Sequence, residues 1–205
     1  MYYGERLNSY THLAGTVLAA IGTAVLVALA VRSGDAWKIV AFSAYGASLC
    51  LLFGASTLYH SVRGRAKAIL RRLDHCAIYA LIAGTYTPFA LVTLRGPWGW
   101  TLFGLVWGLA AFGIAQEFVF GKGARRLSVV IYMVMGWMAV VALHPLAAAL
   151  GAPGLAWLVA GGLLYTGGIL FYFFDERVRH FHGVWHLFVL GGSAAHFICI
   201  ALYVA

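Results

Sequence analysis

Ser56, His60, Asp74, His182 and His186 stand in a chain that is otherwise almost continuous hydrocarbon. Ionisable side chains are costly inside a bilayer, so where they occur they usually mark function. Histidines and a carboxylate converging from separate helices are the donor set of a metal site. His182 and His186 are spaced i, i+4, which aims two imidazoles from one helical face. Ser56 lies four residues before His60 and so faces the same way, one turn deeper. Three neutral imidazoles suit a tetrahedral zinc ion with one position open. Zinc lowers the pKa of bound water towards ~7. Asp74 could then shuttle the proton, and Ser56 could hydrogen-bond Asp74 or stabilise an oxyanion. The candidate ligands are therefore His60, His182 and His186, the candidate cofactor is Zn2+, and the candidate catalytic groups are Asp74 and Ser56. From spacing alone, the histidines fit equally well as amphipathic interface residues with wet tips.

The elements that must position these groups are membrane spans. The 205 residues are 63% hydrophobic and only 10% charged, with a mean hydropathy of +0.88. A soluble domain carries about 25% charged residues, so the chain is read as an all-α integral membrane protein forming a single domain over residues 1–205. A spanning helix needs about 20 apolar residues. Seven runs qualify: 13–31, 39–59, 75–94, 98–118, 127–146, 154–174 and 183–204. The breaks carry turn chemistry at Ser33-Gly34-Asp35, Arg95-Gly96-Pro97, Gly121-Lys122-Gly123 and Gly151-Ala152-Pro153. The longest polar stretch, around Arg63 to Arg72, reads as a loop.

The net charge of +8 does not point to nucleic acid, because the basic residues sit in short loops between apolar runs. Of the 14 lysines and arginines, all but Arg32, Lys38 and Arg95 fall on one side of a seven-span frame. The positive-inside rule then places the N-terminus in the cytoplasm and the C-terminus outside. Trp37, Trp98, Trp100 and Trp157 come to the outer interface, where indoles favour the headgroup level. All five polar residues come to the cytoplasmic side. Cys50, Cys76 and Cys199 lie far apart in apolar runs and imply no disulfide framework.

Other polar residues have plainer readings. Glu5, Asn8 and His12 share a helical face on the same side as the candidate ligands. They fit as supports for the site, as lipid-headgroup contacts or as a solvated helix start. His75 points away from Asp74 and reads as an interface residue. His180 reads as solvated, or as a competitor of His182. His144 is too far away to join the cluster. His196, about 15 Å beyond His186 along one helix, could line a cavity or pair with backbone. Glu117 could pair with a loop arginine. Gly104 and Gly108 form a GxxxG stripe that fits close helix packing.

Four stretches together resemble the hemolysin III family, the bacterial branch of the progestin and adipoQ receptor superfamily. They are GERLNSYTHLAG from Gly4, GASTLYH from Gly54, RRLDHCAIYALIAGTYTP from Arg71 and HGVWHLFVLGGSAAHF from His182. The resemblance runs from the first helix to the last. It implies a seven-helix bundle in the bacterial plasma membrane with a cytoplasmic N-terminus. It also implies zinc on His60, His182 and His186, with Asp74 acting directly or through water and Ser56 nearby. Related receptors and alkaline ceramidases imply hydrolysis of a lipid amide. The chain lacks the long cytosolic N-terminal segment of the receptor branch, which removes the evident platform for a receptor partner. Membrane lipids are the expected partners, as substrate or ligand. Three functions follow: a zinc-dependent intramembrane lipid hydrolase, a non-enzymatic membrane sensor or regulator with structural zinc, and, least favoured, a pore-forming haemolysin.

Overall fold

A computed structural model of the chain describes Met1, residues 4–120 and residues 125–205, so the Gly121-Lys122-Gly123 turn falls outside the described residues. Among the described residues the regular structure is entirely helical. In lipid this satisfies every backbone group within its own segment. The helices are α1 (Arg6–Ser33), α2 (Ala36–Ser61), α3 (Arg65–Pro88), α4 (Pro97–Phe120), α5 (Arg125–Trp137), α6 (Leu143–Phe174) and α7 (Phe181–Tyr203). A π-helical turn at Phe89–Thr93 extends α3, and a 3-10 segment at Met138–Ala142 joins α5 to α6.

Among the described residues six stretches are long and apolar enough to cross a bilayer, and one of them, Arg125–Phe174, is 50 residues long. As continuous helix it would reach about 75 Å, far beyond the ~30 Å hydrocarbon core. It is not continuous. Gly151 has φ 66° and ψ 175°, a backbone geometry open to glycine and strained for other residues. Pro153 follows, and proline is tolerated in the first turn of the resumed helix.

Several boundaries differ from the sequence expectation. The Arg63–Arg72 stretch is mostly helix rather than loop, since α3 already begins at Arg65. Arginine, lysine, alanine and leucine are strong helix formers, and Arg65-Ala-Lys-Ala-Ile-Leu-Arg-Arg contains little else. The polar turn at Arg6–His12 likewise joins α1. The expected turns appear where their chemistry put them. Gly34 closes α1 in the left-handed region, Asp35 accepts from the Trp37 amide to start α2, and Pro97 opens α4.

α1, α2 and α3 pack in sequence, α6 packs on α7, and α7 returns to α1. α5 packs sparsely against α3, α4 and α6. Exposed Val17, Leu18 and Ile21 on α1, with Leu163 and Leu170 on α6, form an apolar outer surface. Trp37 and Trp100 meet edge to face at 5.8 Å, beside the Arg95–Asp35 ion pair at 2.8 Å. The Gly104/Gly108 stripe faces outward: a Cβ at either position would meet nothing within 4 Å, so it is not a contact within the chain.

Candidate metal centre

His60 lies on the last turn of α2, and His182 and His186 on the first turns of α7. Their ligand atoms all lie within 4.8 Å of one another, and the group forms a possible metal site. The convergence depends on the close seam between α1 and α7. A Cβ at Gly183 would stand 2.4 Å from Leu7 Cδ2 and 3.0 Å from Asn8 Oδ1, so a larger residue there would have to displace those side chains.

Each imidazole is oriented through its Nδ1. His60 Nδ1 lies 2.6 Å from Glu5 Oε2, His182 Nδ1 lies 2.6 Å from Asp175 Oδ2, and His186 Nδ1 lies 3.2 Å from the Asn8 carbonyl oxygen. A carboxylate or carbonyl oxygen only accepts, so in each ring Nδ1 carries the hydrogen and Nε2 presents a lone pair. Metal-ligating histidines use this same arrangement, because the outer acceptor fixes the tautomer and raises ligand basicity.

The Nε2 atoms are then left facing one another. His60 Nε2 and His182 Nε2 are 3.3 Å apart, and His186 Nε2 is buried with no hydrogen-bond partner. Two lone pairs at that distance repel unless a cation lies between them. Nitrogens at 2.0–2.1 Å from a tetrahedral zinc ion are about 3.3 Å apart. The donor set, the tautomers and the orphaned nitrogen all fit a metal ion.

The supports form networks of their own. Asn8 Nδ2 donates to Glu5 Oε2 at 2.7 Å, and Lys67 Nζ donates to Glu5 Oε1 at 2.8 Å. Burial pushes the Glu5 carboxyl up, but its hydrogen bonds with His60, Lys67 and Asn8 outweigh burial and hold it well below the usual carboxylate range. Arg125 pairs with Asp175 at 2.6 Å and donates to the Tyr172 carbonyl. Burial likewise raises Asp175, while His182 and Arg125 bring it below its ordinary value. Glu5 and Asn8 therefore act as supports, one of the three readings open to them in the sequence.

Asp175 escaped the sequence reading. Its signal was an anomaly: a carboxylate closing a helix at the end whose dipole disfavours negative charge, seven residues before His182. His12 also does more than its spacing implied. It is 2% exposed, stacks on His186 with ring centroids 3.6 Å apart, and neither ring nitrogen has a partner.

Asp74 is buried at the start of the span but stands outside the compact histidine trio. It lines two cavities. One is polar and lies against Glu5, His60, Asp175 and His182. The other is apolar, encloses about 1010 Å³ with its open mouth included, and runs between α3, α5, α6 and α7 past His12 to His196. Ser56 is buried beside the Asp74 carboxyl. His75 and Glu117 belong to a separate buried network. Glu117 accepts from Ser128 at 2.6 Å and lies 3.6 Å from His75, while Gln116 donates to Tyr79 at 2.9 Å. His180 and His144 are exposed.

A sequence profile described as Haemolysin-III related matches residues 2–197. The chain belongs to this family. It is similar to Hemolysin-3 of Bacillus cereus, with 44% identity covering 98% of this chain and 91% of that protein. It is also similar to the Hemolysin-3 homolog of Bacillus subtilis (strain 168), with 45% identity covering 97% and 93%. A more distant relative is the human Monocyte to macrophage differentiation factor, 31% identical over 98% of this chain and 84% of that protein. Membership, together with the apolar helices, makes the chain a multi-pass integral membrane protein of the bacterial haemolysin-III type.

Proposed function

We propose that the chain is a zinc-dependent intramembrane hydrolase of a lipid amide or ester, with the ion held by His60, His182 and His186. The observation that carries this reading is the set of three imidazoles whose ligand atoms lie within 4.8 Å of one another, each ring tethered through Nδ1. When bound, the cation supplies Lewis acidity and lowers the pKa of water. The chain's own residues do the rest. Asp74, bordering both the polar and the apolar cavity, accepts the proton from attacking water and delivers it to the leaving group. Ser56, with a buried hydroxyl beside Asp74, donates to the developing oxyanion. The apolar cavity receives the acyl chain and excludes water.

In this reading Gly151 divides the 50-residue run into two spans, giving one domain of seven spans. The N-terminus lies in the cytoplasm, and the site lies at the inner leaflet. Reporter fusions in the 34–35, 95–96 and 151–152 turns would all appear outside; a cytoplasmic signal from any of them would refute that frame.

A second reading, a structural zinc in a non-enzymatic membrane regulator, requires four protein ligands, with Asp74 as the fourth. Its position outside the trio favours the hydrolase. Purified protein should carry about one zinc per chain, lost in His182→Ala and His186→Ala. Asp74→Asn should keep its zinc and lose turnover of lipid amides. If Asp74→Asn loses metal as the histidine variants do, the structural reading replaces this one.

A further inference from the structure

The apolar cavity has a second polar demand, far from the histidine trio. His196 Nε2 lies 3.1 Å from the Leu158 carbonyl oxygen. A carbonyl only accepts, so Nε2 carries the hydrogen and Nδ1 of the neutral ring is a bare acceptor. Nδ1 is buried and has no partner among the described residues. The ring packs directly on α6 at Gly161, where a Cβ would lie 2.2 Å from His196 Cδ2 and 2.3 Å from Nε2. An unmet buried acceptor costs about 1–3 kcal/mol, so a persistent one calls for a donor from outside the chain.

The neighbouring polar groups do not supply it. His196 sits where the apolar cavity meets a second one that extends towards Leu143 and Leu146. Around that junction Thr85 donates to Leu81 O, Tyr86 to Gly136 O, Thr166 to Gly162 O and Trp137 Nε1 to Thr166 Oγ1. Tyr165 and Ser193 bond each other at 2.7 Å. None of these groups reaches His196 Nδ1.

We infer that the cavity is built for an amphiphile carrying a hydroxyl on its apolar tail, which donates to His196 Nδ1 while the headgroup lies at the histidine trio. His186 and His196 share α7 ten residues apart, so the two polar ends are separated by about 15 Å. This names a ligand class for the site proposed above and rests on that reading only for the headgroup end. His196 acts here as a specificity residue.

The test uses three matched probes on the purified chain: stearate, 12-hydroxystearate and 12-methoxystearate, each displacing a bound fluorescent fatty acid. The hydroxy acid should bind roughly three- to tenfold more tightly than the other two, since the ether accepts but cannot donate. His196→Leu should erase the preference with zinc content unchanged. Equal binding of the three probes to the native protein, no saturable binding of the hydroxy acid, or a preference that survives in His196→Leu overturns the inference. The native comparison decides the matter even if His196→Leu does not fold. Repeating it on His182→Ala separates the two readings, because loss of zinc weakens the headgroup end and leaves the hydroxyl preference in place.

Discussion

Replacing Glu5 by glutamine probes the metal argument without touching a ligand. Glu5 holds His60 Nδ1 at 2.6 Å and is itself clamped by Asn8 and Lys67. Glutamine keeps the size and one acceptor oxygen but loses the charge that makes the imidazole a stronger base. Removing such an outer carboxylate weakens metal binding by about 10–100-fold, or about 1.4–2.7 kcal/mol. Competition against a chelator of known affinity, followed by metal analysis of the recovered protein, measures this directly. Because the folded pKa of Glu5 is depressed, its contribution is fully present above its ordinary value of 4.5 and is lost as pH falls through the folded value. The fold-loss in Glu5→Gln should therefore be constant across the neutral range, while the imidazoles themselves lose metal as pH drops towards ~6.5 and below. Native affinity in Glu5→Gln, within twofold, would refute the claim that the charge of this carboxylate strengthens His60 as a ligand.

Three further outcomes follow from the same geometry. Asp175→Asn should lower metal affinity by about 10–100-fold through His182, and Asp175→Asn with Glu5→Gln should lower it further, read in the same chelator competition. Gly183→Ala forces a methyl against Leu7 and Asn8; it should cost about 1–3 kcal/mol, seen as a lower Tm, and should reduce metal content by parting α1 from α7. Gln116→Leu removes the donor to Tyr79 and Ser128 within a buried network; it should cost about 1–3 kcal/mol in thermal unfolding and leave metal content unchanged.

The sequence made the ligands legible because their spacing is helical. His182 and His186 repeat at i, i+4, and His60 ends an apolar run, so periodicity and position singled them out as candidates, while their convergence became visible only in the fold. Asp175 was not legible, because pairing across a turn with a residue seven positions on leaves no periodic trace. The stacking of His12 on His186 is set by how α1 and α7 cross, which spacing along one helix cannot encode. The basic start of α3 read as loop because charge density was weighed above helix propensity. The Gly104/Gly108 stripe read as a packing face because its motif does not say which side of α4 meets a neighbour. The Gly151 break was visible as turn chemistry, whereas the unmet Nδ1 of His196 became apparent only from the tertiary arrangement.

His60 and His182 are separated by 122 positions in the chain, and everything made between them must be in place before their nitrogens can meet. Helices are inserted in order during synthesis, so the earlier-made half holds a prepared but incomplete socket until the final helix arrives. A cation captured there would act as a fastener of assembly, tying α2 to the later-made α7. Maturation of the protein would thereby become sensitive to the metal supply of the cell, and chains starved of the ion would leave their closing seam the first to open.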